Sequence, residues 1–167
     1  MKFLPFESII YKTSLKEDEI ISRLSEIVET EKFLGFGLFR AESTKSYEGY
    51  ISGHYFKIHK IIMYRNSFLP QIKGIIERTE DGILIKVKMR MYLFVIIFVS
   101  LWCSLVGTIC VGVLRELLFN FEFSAVSIVP LIMFSFAYGL TMGGFKYESI
   151  KSKRELQKIF EAEIIKE

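Results

Sequence analysis

Of 167 residues only two are cysteine, three proline, two histidine and one tryptophan. So few cysteines cannot staple a secreted domain. Both, Cys103 and Cys110, fall in one apolar stretch and lie roughly 10 Å apart on a helix, too far for a disulfide or a shared metal. They read as small packing residues. His54 and His59 have opposite parity on one predicted strand and so point to different faces, which makes them poor joint ligands or catalytic partners. No HExxH, CxxC pair, GxSxG or P-loop is present. Gly35-Phe36-Gly37 lacks the third glycine of a dinucleotide fingerprint, and strand glycines are the simpler reading. The one carboxylate cluster, Glu17-Asp18-Glu19, sits where it complements a helix dipole. The expectation is therefore no enzyme, no cofactor and no metal. A net charge of +3 is also too small to suggest nucleic acid as the partner.

Charge is missing in a second way. Met91 to Leu114 and Phe123 to Phe145 contain no Asp, Glu, Lys, Arg or His. Each run makes roughly 35 Å of helix, enough to cross a hydrocarbon core of ~30 Å. With mean hydropathy +0.34 and 51% hydrophobic residues, the composition agrees. Residues 91–145 thus read as a transmembrane hairpin with spans of about 91–114 and 123–145. Arg115 to Glu122 forms the short loop between them. Lys and Arg crowd the other side: Arg78, Lys86, Lys88 and Arg90 before the first span, and Lys146, Lys151, Lys153, Arg154 and Lys158 after the second. Such asymmetry predicts both termini on the cytoplasmic side of the cytoplasmic (inner) membrane. Pro5 and Glu7 break any early apolar run, so no signal peptide is expected. The lack of ionisable groups inside the spans argues against an ion or proton pathway.

Small residues recur every four positions in both runs: Ser100, Ser104, Thr108 and Gly112 in the first, and Ser135, Gly139 and Gly143 in the second. Each set shares one helix face, suited either to packing the two helices together or to meeting another copy of the chain. Pro130 is expected to kink the second span slightly.

Outside the membrane the pattern is α+β. Phe6 to Thr13 reads as a strand, and Ser14 with Glu17 forms a capping box that opens an amphipathic helix over 15–30. From Phe33 the period becomes two. Strands are expected at Phe33 to Arg40, at Tyr47 to Ile51 and Tyr55 to Ile62 around Ser52-Gly53, and at Gln71 to Arg78 and Ile83 to Arg90 across 80–82. In the last strand Ile83, Ile85, Val87 and Met89 face inward, while Lys86, Lys88 and Arg90 face outward. The organisation is a cytosolic α+β domain (1–90) with an amphipathic helix and antiparallel sheet, the hairpin (91–145), and a C-terminal amphipathic helix (146–167). That last helix carries Ile150, Leu156, Ile159, Phe160 and Ile164 and is expected to cover the sheet. Lys86, Lys88 and Arg90, together with Lys151, Lys153 and Arg154, are candidate contacts to anionic headgroups.

The string Tyr64-Arg65-Asn66-Ser67-Phe68-Leu69-Pro70, followed by a strand, Lys88-Met89-Arg90-Met91 and an aromatic-rich span, resembles a family of small, uncharacterised bacterial membrane proteins. Such proteins combine an N-terminal soluble region with two C-terminal spans. The resemblance covers most of residues 1–110 and implies bacterial origin and this architecture, with no activity, cofactor or site residues. The functional expectation is a membrane-anchored, non-catalytic accessory protein whose sheet domain binds a protein partner and whose hairpin anchors or oligomerises it. A helix-grip module for a lipid or small molecule, and a transport-complex subunit, are the alternatives.

Overall fold

The computed structural model describes residues 4–30, 45–64, 66–80, 82–120 and 128–166. The chain runs β1 (Phe6–Thr13), α1 (Glu17–Ile27), β2 (Val28–Thr30), β3 (Tyr47–Ser52), β4 (Tyr55–Lys60), β5 (Gln71–Thr79), β6 (Gly82–Arg90), α2 (Leu93–Asn120), α3 (Ile128–Ile159) and β7 (Glu163–Lys166). The strands form one mixed sheet in the order β2-β3-β4-β5-β6-β1-β7, antiparallel except for the β2–β3 pair. The class is α+β, with two helices long and apolar enough to cross a membrane. The predicted strand over Phe33 to Arg40 lies outside the described residues.

Alternation decides which side of the sheet is covered. Ile9 and Tyr11 of β1, Phe56 and Ile58 of β4, Ile72 and Ile76 of β5, and Ile85, Val87 and Met89 of β6 all face one side and are buried. Ile20 and Leu24 of α1 and Phe145, Leu156 and Phe160 of the α3 segment complete that core. Lys146 and Ser149 bond Glu7 at the start of β1, and Thr13 at its end donates to the Phe160 carbonyl. The second half of α3 therefore runs along β1 in the same direction.

Several boundaries differ from the sequence reading. No capping box forms: the first helix begins at Glu17 behind Lys16, which makes no side-chain cap. Glu17 is buried instead and pairs with Arg78 and His54, so its carboxylate is not free to reach back. The same helix stops at Ile27, and β-branched Val28 and Thr30 join the sheet as β2, parallel to β3. The β3–β4 turn is Gly53-His54 rather than Ser52-Gly53, because Ser52 pairs with Tyr55 and Gly53 takes the positive φ of 54°.

α2 does not end at Leu114 but continues through Arg115 to Asn120. The second predicted span and the tail also merge, since α3 is one uninterrupted helix of 32 residues. Pro130 is the third described residue of this helix. The tail is not helical to its end. Glu161 turns the chain at φ 44°, and Ile164 sits in β7, paired with Tyr11.

Candidate interaction surface

Two sets of polar residues flank the sheet, one on each face. On the covered face a polar seam holds α3. Lys146 and Ser149 both bond the Glu7 carboxylate, and Tyr64 donates to the fully buried Glu148. About two turns further, Tyr47 donates to Glu155 at 2.8 Å, and Lys60 pairs with the other oxygen of Glu155 at 2.5 Å. Burial first, and the Glu155 carboxylate second, push the Tyr47 hydroxyl far above the ordinary tyrosine range. Tyr11 donates to the Lys153 carbonyl. At the far end Arg23 of α1 bonds the Ile159 carbonyl and Glu161.

The segment that carried the family resemblance clamps this helix. Asn66 donates to the Gly144 carbonyl at 3.3 Å and accepts the Phe68 N–H at 3.0 Å, while Phe68 lies over Gly144. A Cβ at Gly144 would stand 2.9 Å from the Phe68 ring, so close approach requires glycine there. The Phe68 ring and the Asn66 side-chain amide thus grip α3 where its apolar half meets its sheet-packed half.

Among the described residues no helix lies on the opposite face. Strand register arranges its side chains in rows. Tyr50, Lys57, Lys73, Lys88 and Ser8 are successive cross-strand neighbours from β3 to β1. The next row toward the distal end is Tyr55, Ile75, Lys86 and Ile10. The row on the other side is Glu48, His59, Gln71, Arg90 and Phe6. Two acids on this face have cationic or imidazole partners: Glu77 pairs with Lys86 at 2.6 Å, and Glu48 with His59 at 3.6 Å. His59 also meets the Tyr92 ring edge-on at 6.3 Å. Lys57, Lys73, Lys88 and Arg90 form no ion pair among the described residues. Tyr50 and Tyr55 pack ring against ring at 5.9 Å, and burial together with Tyr50 raises the Tyr55 pKa.

The two predicted cation groups are not brought together. Lys86, Lys88 and Arg90 lie on the open face of the sheet. Lys151 and Arg154 lie on the far side of α3, where with Tyr147, Ile150 and Lys158 they line a shallow cavity of about 320 Å³. Lys153 is half-buried between these regions.

The small-residue stripes separate in a similar way. Ser100, Ser104 and Thr108 line a groove on α2 that Phe134 of α3 borders. Ser135 and Gly139 line a groove formed by α3 alone, and nothing lies within 4 Å of a Cβ at Gly112, Gly139 or Gly143. Lys57 and Lys73 escaped the sequence reading as site residues. Alternation along β4 and β5 puts them on the outward side, but only strand register makes them neighbours of Lys88. No family model, curated relative or solved structure matches the chain.

Proposed function

We propose that the chain is a non-catalytic, membrane-anchored interaction protein that presents the open face of its sheet to a protein partner. The observation that carries this reading is the asymmetry of the sheet: one face is filled by α1 and α3, while the other, on which none of the described helices lies, is cationic and carries exposed Tyr50 and Ile75. In this reading α2 and α3 cross the cytoplasmic membrane as a hairpin, and the Lys/Arg asymmetry sets both termini on the cytoplasmic side. About 19 residues of α3 supply a span of ~28 Å, and the remainder continues into the sheet domain. Because that remainder follows β1, the strands stand roughly along the membrane normal. The open face then looks sideways along the membrane, not down onto it. Arg90 comes nearest the headgroups, and Lys86, Lys151 and Arg154 stand further off.

The helix-grip alternative would need room between α3 and the sheet. Tyr11, Phe56, Phe145, Leu156 and Phe160 fill that space, and all five are buried to the last per cent. This favours surface recognition over an enclosed ligand. Two experiments test the proposal. Reporters fused at residue 167 and after residue 90 are expected on the cytoplasmic side, and one within 115–122 outside; a cytoplasmic loop reporter refutes the topology. A photo-crosslinking residue at Tyr50 is expected to form a discrete protein adduct in native membranes, and the same residue at Ile150 none. Equal labelling at both positions, or none at Tyr50, refutes the docking face.

A further inference from the structure

We infer that the lysine row Lys57–Lys73–Lys88 recognises an acidic segment of the partner protein, with acids alternating with apolar residues. This rests on the docking reading above and adds the chemistry of what docks. Three lysines directly opposite one another on adjacent strands, about 4.8 Å apart, repel and cost stability. None of the three has an ion-pair partner among the described residues. Glu48 and Glu77, the acids closest in register on this face, are bound to His59 and Lys86. An incoming set of carboxylates would remove the repulsion and gain three charge pairs at once.

The neighbouring row says what else such a segment carries. About 6.7 Å along the strands lies the row Tyr55, Ile75, Lys86 and Ile10, in which Ile75 is 47% exposed and Lys86 is already held by Glu77. Acids on one row and an aliphatic side chain against Tyr55 and Ile75 on the next match a peptide, whereas a free phosphate would leave those two apolar residues unused. Flat lipid headgroups fit less well. From Lys88 to the start of α2 is five residues of chain, roughly 16 Å, while the headgroup layer extends only ~5–8 Å beyond the hydrocarbon. Single-stranded nucleic acid would want open aromatic faces, and Tyr50 and Tyr55 are packed on each other.

The test uses the full chain in zwitterionic nanodiscs and a synthetic peptide alternating Glu with Val, alongside its Gln–Val counterpart. The Glu peptide is expected to bind, to weaken as salt rises, and to lose about tenfold in affinity to the K57Q/K73Q/K88Q protein. The K57R/K73R/K88R protein, which keeps the charge, is expected to retain binding. Equal affinity for both peptides, or no loss in the Gln variant, overturns the inference. So does tighter binding of a single-stranded oligonucleotide, or of anionic in place of zwitterionic nanodiscs. The two proposals fail separately. A discrete adduct from Tyr50 without affinity for the Glu peptide overturns the acidic chemistry and leaves the docking face standing, whereas absence of the adduct removes the face itself.

Discussion

The two faces of the sheet use the same strands to opposite ends. On the inner face polar side chains of the strands are tied to the α3 segment. Glu7 holds Lys146 and Ser149, Tyr47 and Lys60 share Glu155, and Thr13 reaches the Phe160 carbonyl. On the outer face three lysines stand side by side and form no ion pair among the described residues. Alternation along a strand allots residues to the two faces, and burial then imposes opposite rules. A buried polar atom must find a partner, while an exposed cation is solvated and can wait for one. The inner face consequently sets stability, and the outer face is free to be chosen for binding.

Breaking the inner face is expected to give the largest effect. Phe160 is fully buried and meets the rings of Tyr11 at 5.9 Å and Phe56 at 6.2 Å. Phe160→Ala is expected to cost about 3–5 kcal/mol, read as a lower unfolding midpoint of the sheet domain in detergent. A loss comparable to that of an exposed residue would mean that α3 does not cover the sheet.

Next in size is the clamp. Gly144→Val inserts methyl groups against Phe68 and Asn66 and is expected to destabilise by about 1–3 kcal/mol. Protease cleavage within 61–70 should rise in parallel; unchanged cleavage would show that this segment does not grip α3.

Tyr47→Phe removes the hydrogen bond to Glu155 and is expected to cost about 1 kcal/mol at neutral pH. It also carries a pH signature. The folded-state pKa of Tyr47 is raised, so its contribution is complete below the unfolded tyrosine value near 10 and declines as pH rises above it. The wild-type protein should therefore lose more stability than Tyr47→Phe between neutral pH and strongly alkaline pH. Identical alkaline profiles would place the Tyr47 hydroxyl in solvent.

The smallest effect on stability is the sharpest on the comparison. Lys73→Glu puts an acid between Lys57 and Lys88, turning two repulsive neighbours into attractive ones. It is expected to raise stability by about 0.5 kcal/mol while reducing affinity for the acidic peptide. Lower stability together with weaker binding would instead make Lys73 a structural residue.

The sequence by itself determined the α+β class, the two long apolar helices, five of the strands, and which residues of β6 turn inward. Those follow from local chemistry, since burial repeats every two residues in a strand and an uncharged stretch of more than 20 residues has few other uses. It did not determine where helices ended. Ser14 and Glu17 spelled a capping box, but Arg78 and His54, both distant in sequence, claimed Glu17. Val28 to Thr30 followed a helical pattern until β3 supplied a neighbour for it. That the second apolar run and the tail are one helix, gripped at Gly144 by Asn66 and Phe68, required knowing what packs on them. The lysine row is of the same kind: Lys57, Lys73 and Lys88 belong to three strands, each unexceptional alone. Only tertiary structure decided that they stand together, because cross-strand register is fixed by hydrogen bonding and core packing, and not by anything along a single strand.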